Sequence, residues 1–131
     1  MRRLRAHEHV KTILHSDVDL AVKLGAYGVH LPSTAFESII KAKAFGLYVV
    51  VSTHTLKEAQ KAQELGADAI TYSPIFKSPN KGKPKGLEAL NEIVDKITIN
   101  IIALGGITTQ KEVDGVAKIG VFGFASIRYF V

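Results

Sequence analysis

From Thr12 onward, short β-branched runs alternate with helix-forming stretches at a spacing of about twenty residues. Two parallel strands can lie side by side only if a long crossover, usually a helix, joins them, so this rhythm restricts the chain to successive βα units. The strands read as Lys11–His15, Tyr27–Leu31, Leu47–Ser52, Ala69–Ser73, Ile99–Ile107 and Gly120–Ile127. Helices fill the gaps. Three begin with a Thr-x-x-Glu pattern (Thr34/Glu37, Thr55/Glu58, Thr109/Glu112), in which the hydroxyl bonds forward and the carboxylate bonds back. Gly25, Gly46, Gly66 and Gly120 each sit just before a strand and read as helix stops. The predicted fold is therefore α/β, a partial (β/α) barrel of six parallel strands in a single domain over residues 1–131. A complete eight-stranded barrel usually needs roughly 200 residues or more.

Composition narrows the chemistry. There is no cysteine, which removes disulfides, thiolate metal sites and cysteine nucleophiles and fits a reducing, cytoplasmic setting. Met1–Val10 is rich in Arg and His and has no apolar core, and the longest apolar runs have strand length, so no membrane association is expected. The net charge of +5 is dispersed, apart from Arg2, Arg3 and Arg5 and a group at Lys77, Lys81, Lys83 and Lys85. No basic aromatic strand accompanies it, so a small anion is the expected partner rather than nucleic acid.

In a parallel barrel every strand's carboxyl end points to one face, so residues far apart in sequence converge there. Those residues are His15, Ser16, His30, Ser33, Ser52, His54, Ser73, Gly105, Gly106 and Ser126. Gly105–Gly106 ends an apolar strand and lets backbone amides approach an anion, with Thr108 and Thr109 adding the positive end of the next helix. With Ser126 and Ile127 at the following strand end, this forms a candidate phosphate seat, the alternative being a plain tight turn. Pro74–Gly86 is too long for a simple βα connection, and its Ser78, Asn80 and Lys81 could hold a second anionic group or merely decorate a basic loop. His54 is the best candidate for acid/base work, its alternative being a rim histidine that caps a helix. Three strand-end histidines admit a zinc reading, but no His-x-x-x-His helix and no nearby carboxylate support it. A Ser-His-acid triad lacks a Gly-x-Ser-x-Gly elbow, and no acid is evident behind His54.

Taken in order, Val18-Asp-Leu-Ala21, Gly28-Val-His-Leu31, Ser52-Thr-His54, Gly66-Ala-Asp68, Pro74-Ile-Phe76 through Ser78 to Lys81, Gly86-Leu-Glu88, Ala103 through Gly105-Gly106-Ile107, and Ala125-Ser126-Ile127 resemble the thiamine-phosphate synthase family, which includes thiazole tautomerases. The resemblance implies a (β/α) barrel of thiamine biosynthesis, with a thiazole phosphate at Gly105, Gly106 and Ser126. It also implies pyrophosphate at Ser78 and Lys81, and, in tautomerases, His54 as the acid/base catalyst. The six strands correspond to strands three to eight of the family barrel, so the chain is expected to be shortened at its amino end.

Three departures shape the expectation. Family synthases bind magnesium through Asn-Asp and a later Asp, where this sequence has His15-Ser16 and no acid near Ser33–Ala35. Asn80 stands where the family has Thr, and the Gln-x-Arg-x-Lys motif that holds the pyrimidine diphosphate is absent. The reading is a protein that binds a thiazole phosphate and, if catalytic, moves a proton through His54 without a cofactor. The alternatives are a magnesium-dependent synthase, or a non-catalytic phosphate-binding or oligomerisation module. Open sheet edges make a homo-oligomer the expected assembly.

Overall fold

The computed structural model describes residues 10–77, 83–126 and 129. Six strands, β1 (Ile13–His15), β2 (Gly28–Leu31), β3 (Tyr48–Thr53), β4 (Ala69–Tyr72), β5 (Asn100–Leu104) and β6 (Gly123–Ala125), pair in sequence order and all in parallel. Five helices connect them: α1 (Val18–Leu24), α2 (Glu37–Ala44), α3 (Leu56–Glu64), α4 (Gly86–Lys96) and α5 (Gln110–Ile119). Right-handed crossovers between strands laid down in sequence order place every helix on the same face of the sheet. That is how a barrel grows rather than a doubly wound sheet, and the result is a half-barrel with β1 and β6 as its two edges.

Alternation along the strands sorts the side chains. Val29, Leu31, Val49, Val51, Ile70, Tyr72, Ile101 and Ala103 join the core with Ala21, Ile39, Ala42, Ala59, Ala62, Leu90, Ile93 and Val116 from the helices. Small alanines on the helices let them lie close to the branched strand residues. The intervening residues, among them His30, Ser52, Thr71 and Ile102, face the inner side. At the amino end of that side Tyr48 stacks on Tyr27 at 5.4 Å, and Asn100 Nδ2 donates to its hydroxyl at 3.2 Å. Lys11 places its ammonium 4.7 Å from the centre of the Tyr27 ring. Polar side chains tie the layers together. Asp68 accepts from Val49 N and Lys43 Nζ, both at 2.8 Å, and Gln63 Oε1 accepts from the backbone of Thr98 and Ile99.

Two of the three helix starts read from the sequence have a threonine cap. Thr109 and Glu112 form a complete capping box on α5, and Thr55 Oγ1 accepts from Glu58 N at 3.1 Å on α3. The Thr34/Glu37 box is not formed. Pro32–Ala35 makes a turn closed by Ala35 N donating to the Pro32 carbonyl, and α2 begins after Phe36 with no side-chain cap. The turn that starts at Pro32 takes up Thr34, and the helix boundary falls two residues later, at Phe36. No helix among the described residues is long and apolar enough to cross a membrane.

Candidate functional site

The carboxyl ends of the strands carry two groups of interacting residues, with a histidine rim at β3. On the β1–β3 side, His15 and His30 are register partners with ring centres 5.8 Å apart. His30 Nε2 lies 2.9 Å from Ser52 Oγ, and His15 Nδ1 lies 2.8 Å from Ser16 Oγ. Burial, and secondarily the nearby His15, hold the His30 pKa below the ordinary histidine value, which favours the neutral imidazole. One β4 residue that was not singled out from the sequence belongs to this side. Thr71, the register partner of Ser52, is buried and its Oγ1 has no hydrogen-bond partner among the described residues. Only its pairing with Ser52 reveals it, since threonine in a strand is otherwise unremarkable.

The β4–β6 side is held mainly by backbone. Ser73 N donates to Thr53 O, and the following Ser73–Pro74 bond is cis. Ile75 N and Phe76 N then donate to the carbonyls of Leu104 and Gly105, both at 3.0 Å. The connection is closed on itself by Lys85 N to Pro74 O and Gly86 N to Ile75 O. This explains the glycine pair. Gly105 and Gly106 have φ of +106° and +69°, and a Cβ on them would stand 2.8 Å from Pro74 Cα and 2.6 Å from Lys77 O. The pair therefore lets the β4 connection lie directly on the end of β5, whatever else it admits.

Ser126, at the end of β6, donates its hydroxyl to the Ile107 carbonyl and accepts from Tyr129 N at 3.1 Å. Tyr129 in turn donates to Gln110 Oε1 at 2.8 Å. Gly105, Gly106 and Ser126 are thus joined through Ile107 as the strand order requires. The donors expected from Thr108 and Thr109 are already engaged. Glu112 Oε1 accepts from the backbone N–H of both, at 3.0 Å each, and from both hydroxyls. The carboxylate pKa is lowered chiefly by the Thr108 amide; burial is the next largest effect and opposes it, and the three remaining bonds, each smaller, add to the lowering. The positive end of α5 is occupied by its own side chain. Ser78, Asn80, Lys81 and Ile127, named from the sequence, lie outside the described residues.

At β3 the structure overturns a reading. An acid does stand behind His54. Glu58, four residues on, places Oε1 3.4 Å from His54 Nδ1, and the same oxygen accepts from His54 N at 2.8 Å. In the sequence Glu58 looked fully used by the capping box.

No group of three or more His, Cys, Asp or Glu residues among the described residues is arranged to hold a metal ion. The β1 end offers imidazoles, hydroxyls and Asp17, whose Oδ1 caps α1 by accepting from Leu20 N at 2.8 Å. Magnesium favours carboxylate oxygens in an octahedral set, and this donor set does not fit it.

The family model described as thiamine monophosphate synthase matches residues 1–130. This chain belongs to that family. A putative thiamine-phosphate synthase 2 from Aquifex aeolicus is 38% identical over 91% of this chain and 65% of its own length. A thiamine-phosphate synthase from Chlorobium phaeobacteroides is 33% identical over 97% of this chain and 64% of its length. Among solved structures, a thiamine phosphate pyrophosphorylase from Pyrococcus furiosus superposes with a TM-score of 0.75 at 32% identity, covering 88% of this chain and 56% of that one. The chain thus spans somewhat less than two thirds of these thiamine-phosphate synthase relatives. An N-acetylmannosamine-6-phosphate 2-epimerase from Clostridium perfringens, at 21% identity and a TM-score of 0.69, shares the fold.

Proposed function

We propose that this chain provides the thiazole phosphate-binding part of a thiamine-phosphate synthase. The observation that carries the reading is the junction of β5 and β6, where the Ser126–Ile107 hydrogen bond ties the end of one strand of a (β/α) barrel to the residue after Gly105–Gly106 at the end of the strand before it. The names of the relatives favour the synthase over other activities of the family. Anchoring a phosphate at that junction would hold the ring above the inner face, where His30, Ser52 and Thr71 supply polar contacts, and lower the entropic cost of reaction. Calorimetric titration with thiazole phosphate should give binding in the micromolar range without magnesium, and Ser126→Ala should weaken it about tenfold. Thiamine phosphate formed on addition of the pyrimidine diphosphate and magnesium would extend the reading from the thiazole phosphate anchor to the whole synthase reaction. Binding without product would leave the anchor and remove synthase activity from this chain.

A second reading, thiazole tautomerisation, is supported by the His54–Glu58 pair and by a donor set unsuited to magnesium. A proton shift within a ring needs one positioned acid/base and an anchor, and no metal. In this case product forms from the thiazole tautomer alone, and His54→Ala abolishes it.

A further inference from the structure

The second reading leaves open which nitrogen of His54 exchanges the proton, and the α3 start answers it. We infer that Glu58 is a positioning residue that keeps a proton on Nδ1 of His54 and leaves Nε2 as the exchanging nitrogen. The inference rests on the proton-transfer reading of His54 for its use in catalysis, but the arrangement itself stands on geometry.

Glu58 Oε1 is fixed before it meets the ring. Its own N–H is bound to Thr55 Oγ1 at 3.1 Å, and Oε1 accepts from His54 N at 2.8 Å. The histidine's own backbone N–H thus holds this oxygen 3.4 Å from Nδ1, a contact of ion-pair rather than hydrogen-bond length. An ionised carboxylate only accepts hydrogen bonds, so it favours the tautomer with hydrogen on Nδ1. The lone pair then resides on Nε2. When Nε2 takes a proton from a substrate carbon, the imidazolium it forms is stabilised by the same carboxylate. Returning that proton to a second ring atom restores the starting tautomer, with no oxidant or metal required.

Helix capping alone would also place Glu58 near this turn, and the test separates the two roles. Glutamine serves equally well at the third helical position and keeps an oxygen for His54 N, so Glu58→Gln preserves the fold, while its neutral amide oxygen is a weaker acceptor for the Nδ1 proton than the carboxylate. Long-range nitrogen–proton correlation spectra, with His54 assigned by its loss in His54→Ala, report the tautomer of the neutral ring directly. The parent chain should show the Nδ1–H form in excess, and Glu58→Gln should shift His54 toward the Nε2–H form. Thr55→Ala, which removes the cap and leaves the carboxylate, should lower stability without changing the tautomer. Identical tautomer ratios in the parent and in Glu58→Ala, which removes both oxygens, would overturn the inference. If the parent turns over a thiazole tautomer, Glu58→Gln should lower kcat about tenfold at unchanged KM. If the parent has no turnover, the proton-transfer reading fails while the spectra still decide the role of Glu58.

Discussion

The β3–α3 and β5–α5 junctions begin from nearly the same local sequence and end in different chemistry. His54-Thr55-Leu-Lys-Glu58 and Thr108-Thr109-Gln-Lys-Glu112 both place a threonine at the helix boundary and a glutamate three residues later. At α5 the residue before the cap is a second threonine, and Glu112 gathers four donors from Thr108 and Thr109. At α3 that residue is histidine, and Glu58 bonds its amide and faces its ring. One junction is closed on itself and braced by the β4 connection. The other presents a histidine that is about half exposed, with a carboxylate behind it. A capping motif thus sets where a helix starts, while its flanking residue decides whether the carboxylate is spent on structure or lent to a side chain.

The largest effect is expected where the closed junction is tightest. Gly106→Ala would put a methyl 2.6 Å from Lys77 O in a left-handed backbone conformation. It should cost about 2–3 kcal/mol, read from the urea midpoint. Little loss would mean that the β4 connection is not pressed against β5. Next, Thr109→Ala should cost about 1 kcal/mol, and at least as much as Thr55→Ala, because the Thr109 hydroxyl serves both the Glu112 amide and its carboxylate.

A smaller effect depends on pH. The folded pKa of Glu112 lies below its ordinary value of 4.5, chiefly through the Thr108 amide, so its stabilisation is complete above that value and is lost as the pH falls through the lower folded pKa. The stability difference between the parent and Glu112→Gln should therefore be present at neutral pH and fade in acid, as followed by thermal unfolding. A difference independent of pH would deny the carboxylate this role. The smallest change is expected at the open junction. His54 is 46% exposed, so His54→Ala should alter stability by no more than about 0.5 kcal/mol. A larger loss would show that His54 braces the fold, and would weaken the contrast between the two junctions.

Much of this molecule is determined by local patterns. β-Branched runs, the spacing of βα units and the threonines before α3 and α5 are short-range properties, and they yielded six strands in order and the set of strand-end residues. The family followed from the same motifs. Where the local pattern competed with a neighbouring constraint it failed, as at Thr34, where Pro32 closes a turn first.

Tertiary structure decided which partners the polar groups take. Glycines at Gly105 and Gly106 are compatible with an anion or with a close backbone, and only the folding of Pro74–Lys77 onto β5 shows the second to be present. Likewise, Glu58 and Glu112 are equivalent as letters in a capping box until the preceding residue is placed in space. The pairing of Thr71 with Ser52 and the stack of Tyr27 on Tyr48 depend on strand register, a long-range property. Periodicity fixes which face a side chain occupies because backbone geometry repeats. A hydrogen-bond partner is settled by competition among all donors within reach, and that list exists only once the chain has folded.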